Sequence, residues 1–170
     1  LRFSFQSFLS TQGVRGFGRI PTCNSIFRAL IHCIYTTRII GTAIIKDYEL
    51  LFKGSKTGSY LTIEKKKGEE VPVVIWETQE SDEQALDRYE GCPQFYYKKE
   101  MIIPIKGIKS KKTRIRKAYV YIMHEDRKLG IPSVHYLRTC YEGYMRFNFD
   151  PLYLLDALDK SRRLDYEEGN

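Results

Sequence analysis

The sequence predicts an α+β fold with a curved, barrel-like mixed sheet, one helix inserted among the strands and two helices at the end. Three observations carry this. Short β-branched and aromatic segments succeed one another from Arg38 to Glu77, separated by Lys, Gly and Asp. Ser81–Glu90 has helical spacing and is stopped by Gly91 and Pro93. Two further helix starts, Pro132-Ser133 and Asp150-Pro151, stand near the C-terminus.

The elements follow in order. RIIGTAII (Arg38–Ile45), YELLFK (Tyr48–Lys53) and SYLTIE (Ser59–Glu64) read as three short strands. The charged KKKGEE reads as a turn, and VPVVIWE (Val71–Glu77) as a strand whose Pro72 suits an edge or a first position. In the helix that follows, Ser81 serves as cap, Asp82 and Glu83 complement the dipole, and Ala85, Leu86 and Tyr89 share a face. Phe95–Ile105 and Ile115–Met123 flank a basic loop as a hairpin. A second helix runs from Ser133 towards Gly143 and a third from Asp150 through Ala157.

The composition suits one domain: 170 residues with 42% hydrophobic content can fill a core without disulfides or metal. Cys23, Cys33, Cys92 and Cys140 are scattered and His32, His124 and His135 lack ligand spacing, so no metal site is expected and the thiols read as reduced and cytoplasmic. The net charge of +7 is concentrated at the start, where residues 1–46 carry six basic side chains and no acid. The remainder sets 22 basic residues against 21 acidic ones, too balanced for a nucleic-acid-binding body. The run KGIKSKKTRIRK (Lys106–Lys117) reads as a solvated hairpin loop, with nucleic-acid binding as its alternative. No apolar stretch is long enough to span a membrane, so no membrane partner is expected.

The chain has no nucleophile elbow, no Walker loop and no dinucleotide fingerprint. The candidate for chemistry is Glu90, which ends a helix immediately before a Gly-x-Pro turn and the aromatic run Phe95-Tyr96-Tyr97. A carboxylate in the last turn opposes the helix dipole, which raises its energy and makes it a better proton acceptor. Neighbouring tyrosines would desolvate it further.

At this segment LDRYEGCPQFYYKKE resembles the L-D-x-x-E-G-x-x-x-x-x-Y block of γ-glutamylcyclotransferase-like (AIG2-like) proteins. GTAIIKDYELLF, VVIWET and PSVHYLRTCYEGYMRFNFDPLYLLDAL extend the resemblance over residues 38–161. It implies a small mixed β-barrel that needs no cofactor and whose partner is a small-molecule γ-glutamyl substrate. It also implies that Glu90 is the catalytic proton shuttle, Tyr97 and Tyr136 pocket tyrosines, and Gly91 part of the rim of a cavity shared by Glu90 and Tyr97. Core packing is an equal reading for both tyrosines. The activity implied is cyclisation of a γ-glutamyl group to 5-oxoproline with release of an amine; the alternative is a catalytically inactive small-ligand-binding member of the same fold.

The family's Tyr-Gly-Ser-Asn-Leu loop has its place at Pro21-Thr22-Cys23-Asn24-Ser25, where only Asn24 agrees and joins the substrate-binding candidates. Residues 1–37 are therefore expected to be an atypical segment, non-native or poorly packed, although an Arg- and Ser-rich start also resembles an organellar transit peptide. Residues 1–20 offer neither a clean strand nor a capped helix and are expected to pack poorly or lie outside the domain, with some part of Ile26–Tyr35 as a surrogate first strand or helix. The domain proper is expected at 38–163, with a tail at 164–170.

Overall fold

Two long strands replace the four short ones expected between Arg38 and Glu77: β2 (Arg38–Ser55) and β3 (Gly58–Thr78). The expected breaks are bends within the ladder. Asp47 and Gly68 both adopt positive φ, 60° and 87°. The Gly68 N–H donates to Asp47 Oδ1 at 3.0 Å. Such a local kink bends a strand without ending it. The charged stretch Lys65–Glu70 stays exposed and extended, so it is strand where the sequence predicts a turn.

The computed structural model describes residues 2–5, 38–55, 58–78 and 80–168. The remaining elements are β1 (Arg2–Phe5), α1 (Glu80–Glu90), β4 (Tyr96–Gly107), β5 (Thr113–Met123), α2 (Val134–Arg146) and α3 (Leu152–Glu168). The α+β class is as the sequence predicts. The sheet order is β1-β3-β2-β4-β5. β1 is antiparallel to β3, with Arg2↔Thr78, and also parallel to β5 through Ser4↔Tyr119 and Phe5↔Val120. The four long strands form an antiparallel sheet, and any ring depends on two residue pairs of a four-residue strand, so "barrel" holds only loosely.

Three expectations need correction. Arg2–Phe5 form a strand in a segment that offered no clean strand pattern, because backbone pairing with β3 and β5 does not require one. The first helix begins at Glu80, ahead of the expected cap Ser81. The last helix runs to Glu168, through most of the expected tail. The surrogate element at Ile26–Tyr35 lies outside the described residues.

The chain divides into two compact units. Among described residues, the first comprises β1, the Arg38–Ala43 part of β2, the Val74–Thr78 part of β3, α1, β4 and β5 through Tyr121. Its helix face is a cluster of Leu86, Tyr119 and Tyr121, with Cys92 and Tyr96 packed against it. Gly41 pairs with Gly107 across β2 and β4. A Cβ on Gly41 would meet the Lys106 carbonyl oxygen at 2.5 Å, so only glycine permits this approach.

The second unit holds Ile44–Val73 and Ile122 onward, including α2 and α3. Phe52, Ile63, Val71, Val73, Cys140, Leu154 and Ala157 are fully buried here. Ser133 caps α2 by accepting from the Tyr136 N–H, and Asp150 Oδ1 accepts from the Leu152 N–H at 2.9 Å, as both start signals predict. Among the described residues no helix is long and apolar enough to cross a membrane.

Candidate active site

Glu90 is the last residue of α1, and the chain beyond it fixes its place. Gly91 sits at φ 64°. Its N–H donates to the Arg88 carbonyl at 3.4 Å, and the Cys92 N–H donates to the Asp87 carbonyl at 2.8 Å. These two bonds with a left-handed glycine form a Schellman motif, which satisfies carbonyls that a helix end leaves orphaned. The Phe95 N–H then returns to the Gly91 carbonyl at 2.9 Å. A Cβ on Gly91 would meet Phe95 Cδ2 at 2.7 Å, so an added side chain would be strained by the left-handed conformation and would displace the Phe95 ring.

The chain before Glu90 is held equally firmly. Glu83 and Asp87 stand four residues apart on one helix face. Both accept from Lys98 Nζ on β4, at 2.6 and 2.9 Å. The other Asp87 oxygen, Oδ1, accepts from the Tyr121 hydroxyl at 2.6 Å. Lys98 lies 5.6 Å from the centre of the Tyr119 ring, and the Tyr119 and Thr78 hydroxyls are 3.2 Å apart.

The electrostatics follow from this packing. Burial pushes the Tyr121 hydroxyl far above the ordinary tyrosine range, and the Asp87 hydrogen bond and the charges of Asp87 and Glu90 add to the effect. Tyr121 therefore stays a proton donor at any physiological pH. Burial tends to lower the Lys98 pKa, but hydrogen bonds to Glu83 and Asp87 outweigh it and raise it, so the ammonium persists. Burial, with the Asp87 charge behind it, pushes the Cys92 thiol up, leaving a neutral packing group rather than a nucleophile. The Glu90 carboxylate is felt at both Tyr121 and Cys92 and is half-buried, so it stands beside a fixed polar network with part of its surface open.

Tyr97 is half-buried on β4 between Tyr96, which packs on the Leu86 cluster, and Lys98, which pairs with α1. Strand alternation places Tyr97 on the opposite face from these two. A cavity of about 230 Å³ in this unit is lined by Arg38, Glu77, Lys112, Arg114 and Arg116 among others, and by neither Glu90 nor Tyr97. Tyr136 belongs to the second unit. Its hydroxyl accepts from the Leu61 N–H at 2.9 Å, and its ring meets Tyr60 edge-on at 5.1 Å and Phe52 at 6.4 Å. Asn24 lies outside the described residues. The structure thus brings Glu90 and Gly91 together at one helix end, while Tyr136 packs against Tyr60 and Phe52 in the second unit.

Sequence reasoning missed Asp87, Lys98 and Tyr121. The available signal was the Glu83/Asp87 pair at helical spacing, with Lys98 and Lys99 at the start of the strand that follows the helix.

Comparison with known proteins agrees with this architecture. The sequence pattern of the family described as "Gamma-glutamyl cyclotransferase, AIG2-like" matches residues 27–138. No curated protein sequence matches the chain significantly. Among solved structures, a gamma-glutamyl cyclotransferase superposes with a TM-score of 0.66 at 17% identity, covering 95% of this chain and 86% of that one. An uncharacterized protein from Homo sapiens gives 0.64 at 20% identity, with the same coverage of 95% and 86%. YkqA from Bacillus subtilis gives 0.62 at 14% identity, covering 99% of this chain and 54% of that one. Identities this low establish a shared fold, while the sequence pattern spans well over half of the chain. The chain belongs to the γ-glutamyl cyclotransferase, AIG2-like family.

Proposed function

We propose that this protein cyclises the γ-glutamyl group of a γ-glutamyl amino acid, peptide or amine to 5-oxoproline, with Glu90 as the proton shuttle. The observation that carries the reading is the placement of Glu90: a half-buried carboxylate at a helix C-terminus, fixed by a Schellman turn and by Asp87 in the turn before it.

Each step has a physical requirement. The substrate's α-amino nitrogen attacks its own γ-carbonyl carbon as Glu90 accepts a proton from the amine. A C–N bond forms and the carbonyl π electrons move to oxygen. The tetrahedral intermediate collapses, the original γ-amide C–N bond breaks, and Glu90 returns the proton to the departing nitrogen. Attack within one molecule requires mainly a bent conformer and a placed proton acceptor. The helix dipole disfavours negative charge on Glu90, which helps it take the proton; the departing amine nitrogen is a stronger base than any carboxylate and draws the proton back.

The test is turnover of a panel of γ-glutamyl compounds by the wild-type chain and by Glu90→Gln, which keeps shape and deletes basicity. The expected loss is at least ~100-fold in kcat, the usual scale for a positioned proton-transfer group. Equal activity in both would overturn the role of Glu90. A second reading, an inactive ligand-binding member, is favoured by one observation: Pro21-Thr22-Cys23-Asn24-Ser25 lacks the glycine that lets backbone approach a ligand. Thermal stabilisation by 5-oxoproline without turnover of any panel member would establish it.

A further inference from the structure

The cavity of about 230 Å³ at the Gly107 end of β4 is separate from Glu90 and has its own chemistry. The twelve residues of β4 run from Tyr96, just beyond the Glu90 turn, to Gly107, eleven steps along the strand. At ~3.3 Å per residue this is up to ~36 Å of strand. Among the described residues, four cations, Arg38, Lys112, Arg114 and Arg116, line the cavity against one carboxylate, Glu77. That carboxylate is engaged by Arg38 Nε at 2.9 Å. The lining therefore carries a net charge of +3.

The walls are built, not merely charged. Arg114 and Arg116 are two residues apart on β5, so the pleat sends both guanidiniums to one face. Ile40 and Ile105 supply an apolar floor, and the cationic side chains around it are exposed. The loop carrying Ser110 and Lys112 is pinned by backbone bonds. The Gly107 N–H donates to the Lys112 carbonyl at 3.0 Å, the Lys111 N–H to the Gly107 carbonyl at 2.9 Å, and the Ile108 N–H to the Ile40 carbonyl at 3.1 Å. Ser110 Oγ accepts from the Lys112 N–H at 3.3 Å.

We propose that this cavity binds a small, multiply charged phosphate group, of the pyrophosphate or phosphomonoester kind, at a site independent of the Glu90 chemistry. Guanidinium forks match phosphate oxygens two at a time, and two of them on one strand face match adjacent phosphoryl groups. The cavity is smaller than a drug-sized pocket and suits a phosphate group rather than a whole nucleotide. A polynucleotide would track the exposed basic hairpin and would have no need of a cavity.

Calorimetric titration of the full chain with pyrophosphate at low ionic strength tests the proposal. One-to-one binding is expected, weakened at least ~10-fold by the double substitution Arg114→Ala/Arg116→Ala, the scale of losing a charge-assisted bidentate contact. Removing the same charge outside the cavity, by Lys106→Ala/Lys109→Ala, should weaken it less than ~3-fold. Arg114→Lys/Arg116→Lys, which retains charge and the fold but loses the forks, should fall between. Absence of pyrophosphate binding, or equal weakening by the two charge-matched alanine pairs, would overturn the site. Binding of a single-stranded oligonucleotide that pyrophosphate fails to displace would also overturn it, in favour of a diffuse nucleic-acid surface.

Discussion

The Tyr121 hydroxyl donates to Asp87 Oδ1 at 2.6 Å, tying β5 to the helix turn that precedes Glu90. Tyr121→Phe keeps the ring and deletes this bond to a charged acceptor. The expected cost is about 1–2 kcal/mol, less than a fully buried bond would bring because Lys98 still holds Asp87. In a chain of this size that lowers Tm by roughly 2–8 °C, measured by calorimetry. An unchanged Tm would show that the bond does not hold the helix.

Gly91→Ala forces a side chain into a left-handed conformation and against Phe95. It should destabilise by about 1–2 kcal/mol. Gly91→Asn should cost less, because asparagine tolerates that conformation. If the turn also aims Glu90, kcat falls further for Gly91→Ala than for Gly91→Asn. Identical denaturation midpoints for the two variants would argue against conformational strain at Gly91.

Tyr136→Phe separates packing from substrate binding. The ring contacts with Tyr60 and Phe52 survive, while the Leu61 N–H loses its acceptor in a partly buried setting. A loss of about 1–2 kcal/mol is expected, with KM unchanged. A raised KM at unchanged stability would instead assign Tyr136 to the substrate.

Glu49 governs part of the acid response. Burial tends to raise its pKa, but hydrogen bonds from Lys160 and Lys66, each at 2.9 Å, outweigh this and hold it below the ordinary 4.5. A lowered folded-state pKa means the stabilisation is fully present above the unfolded value and is lost as pH falls through the folded one. Glu49→Gln should therefore be less stable than wild type at pH ~7, and the gap should close as pH falls from the ordinary 4.5 down through the lowered folded-state value. A gap independent of pH in urea titrations would contradict this.

The sequence exposed helix ends and hairpins well, because their signals are local. Ser133, Asp150 and Gly91 each act where their chemistry predicts. It concealed strand length, since Asp47 and Gly68 look like turn residues and act as bends only because each finds the other across the hairpin. Arg2–Phe5 was hidden for a related reason: its strand conformation is imposed by partners more than seventy residues away. At the candidate site, the place of Glu90 at a helix end ahead of the Gly91 turn was legible. The Lys98 clamp was not, because it joins a helix to a strand through side chains whose meeting depends on tertiary packing.

That clamp has a consequence for motion. Glu90 is anchored on one side through Asp87, Tyr121 and Lys98, and on the other through the turn that closes on Phe95. Breathing of the helix end must break both sets of bonds together. The amides of Cys92 and Phe95 should accordingly exchange with solvent deuterium at similar slow rates, as members of one cooperative unit. The helix end that carries Glu90 is then a stationary part of the unit, held from both directions along the chain.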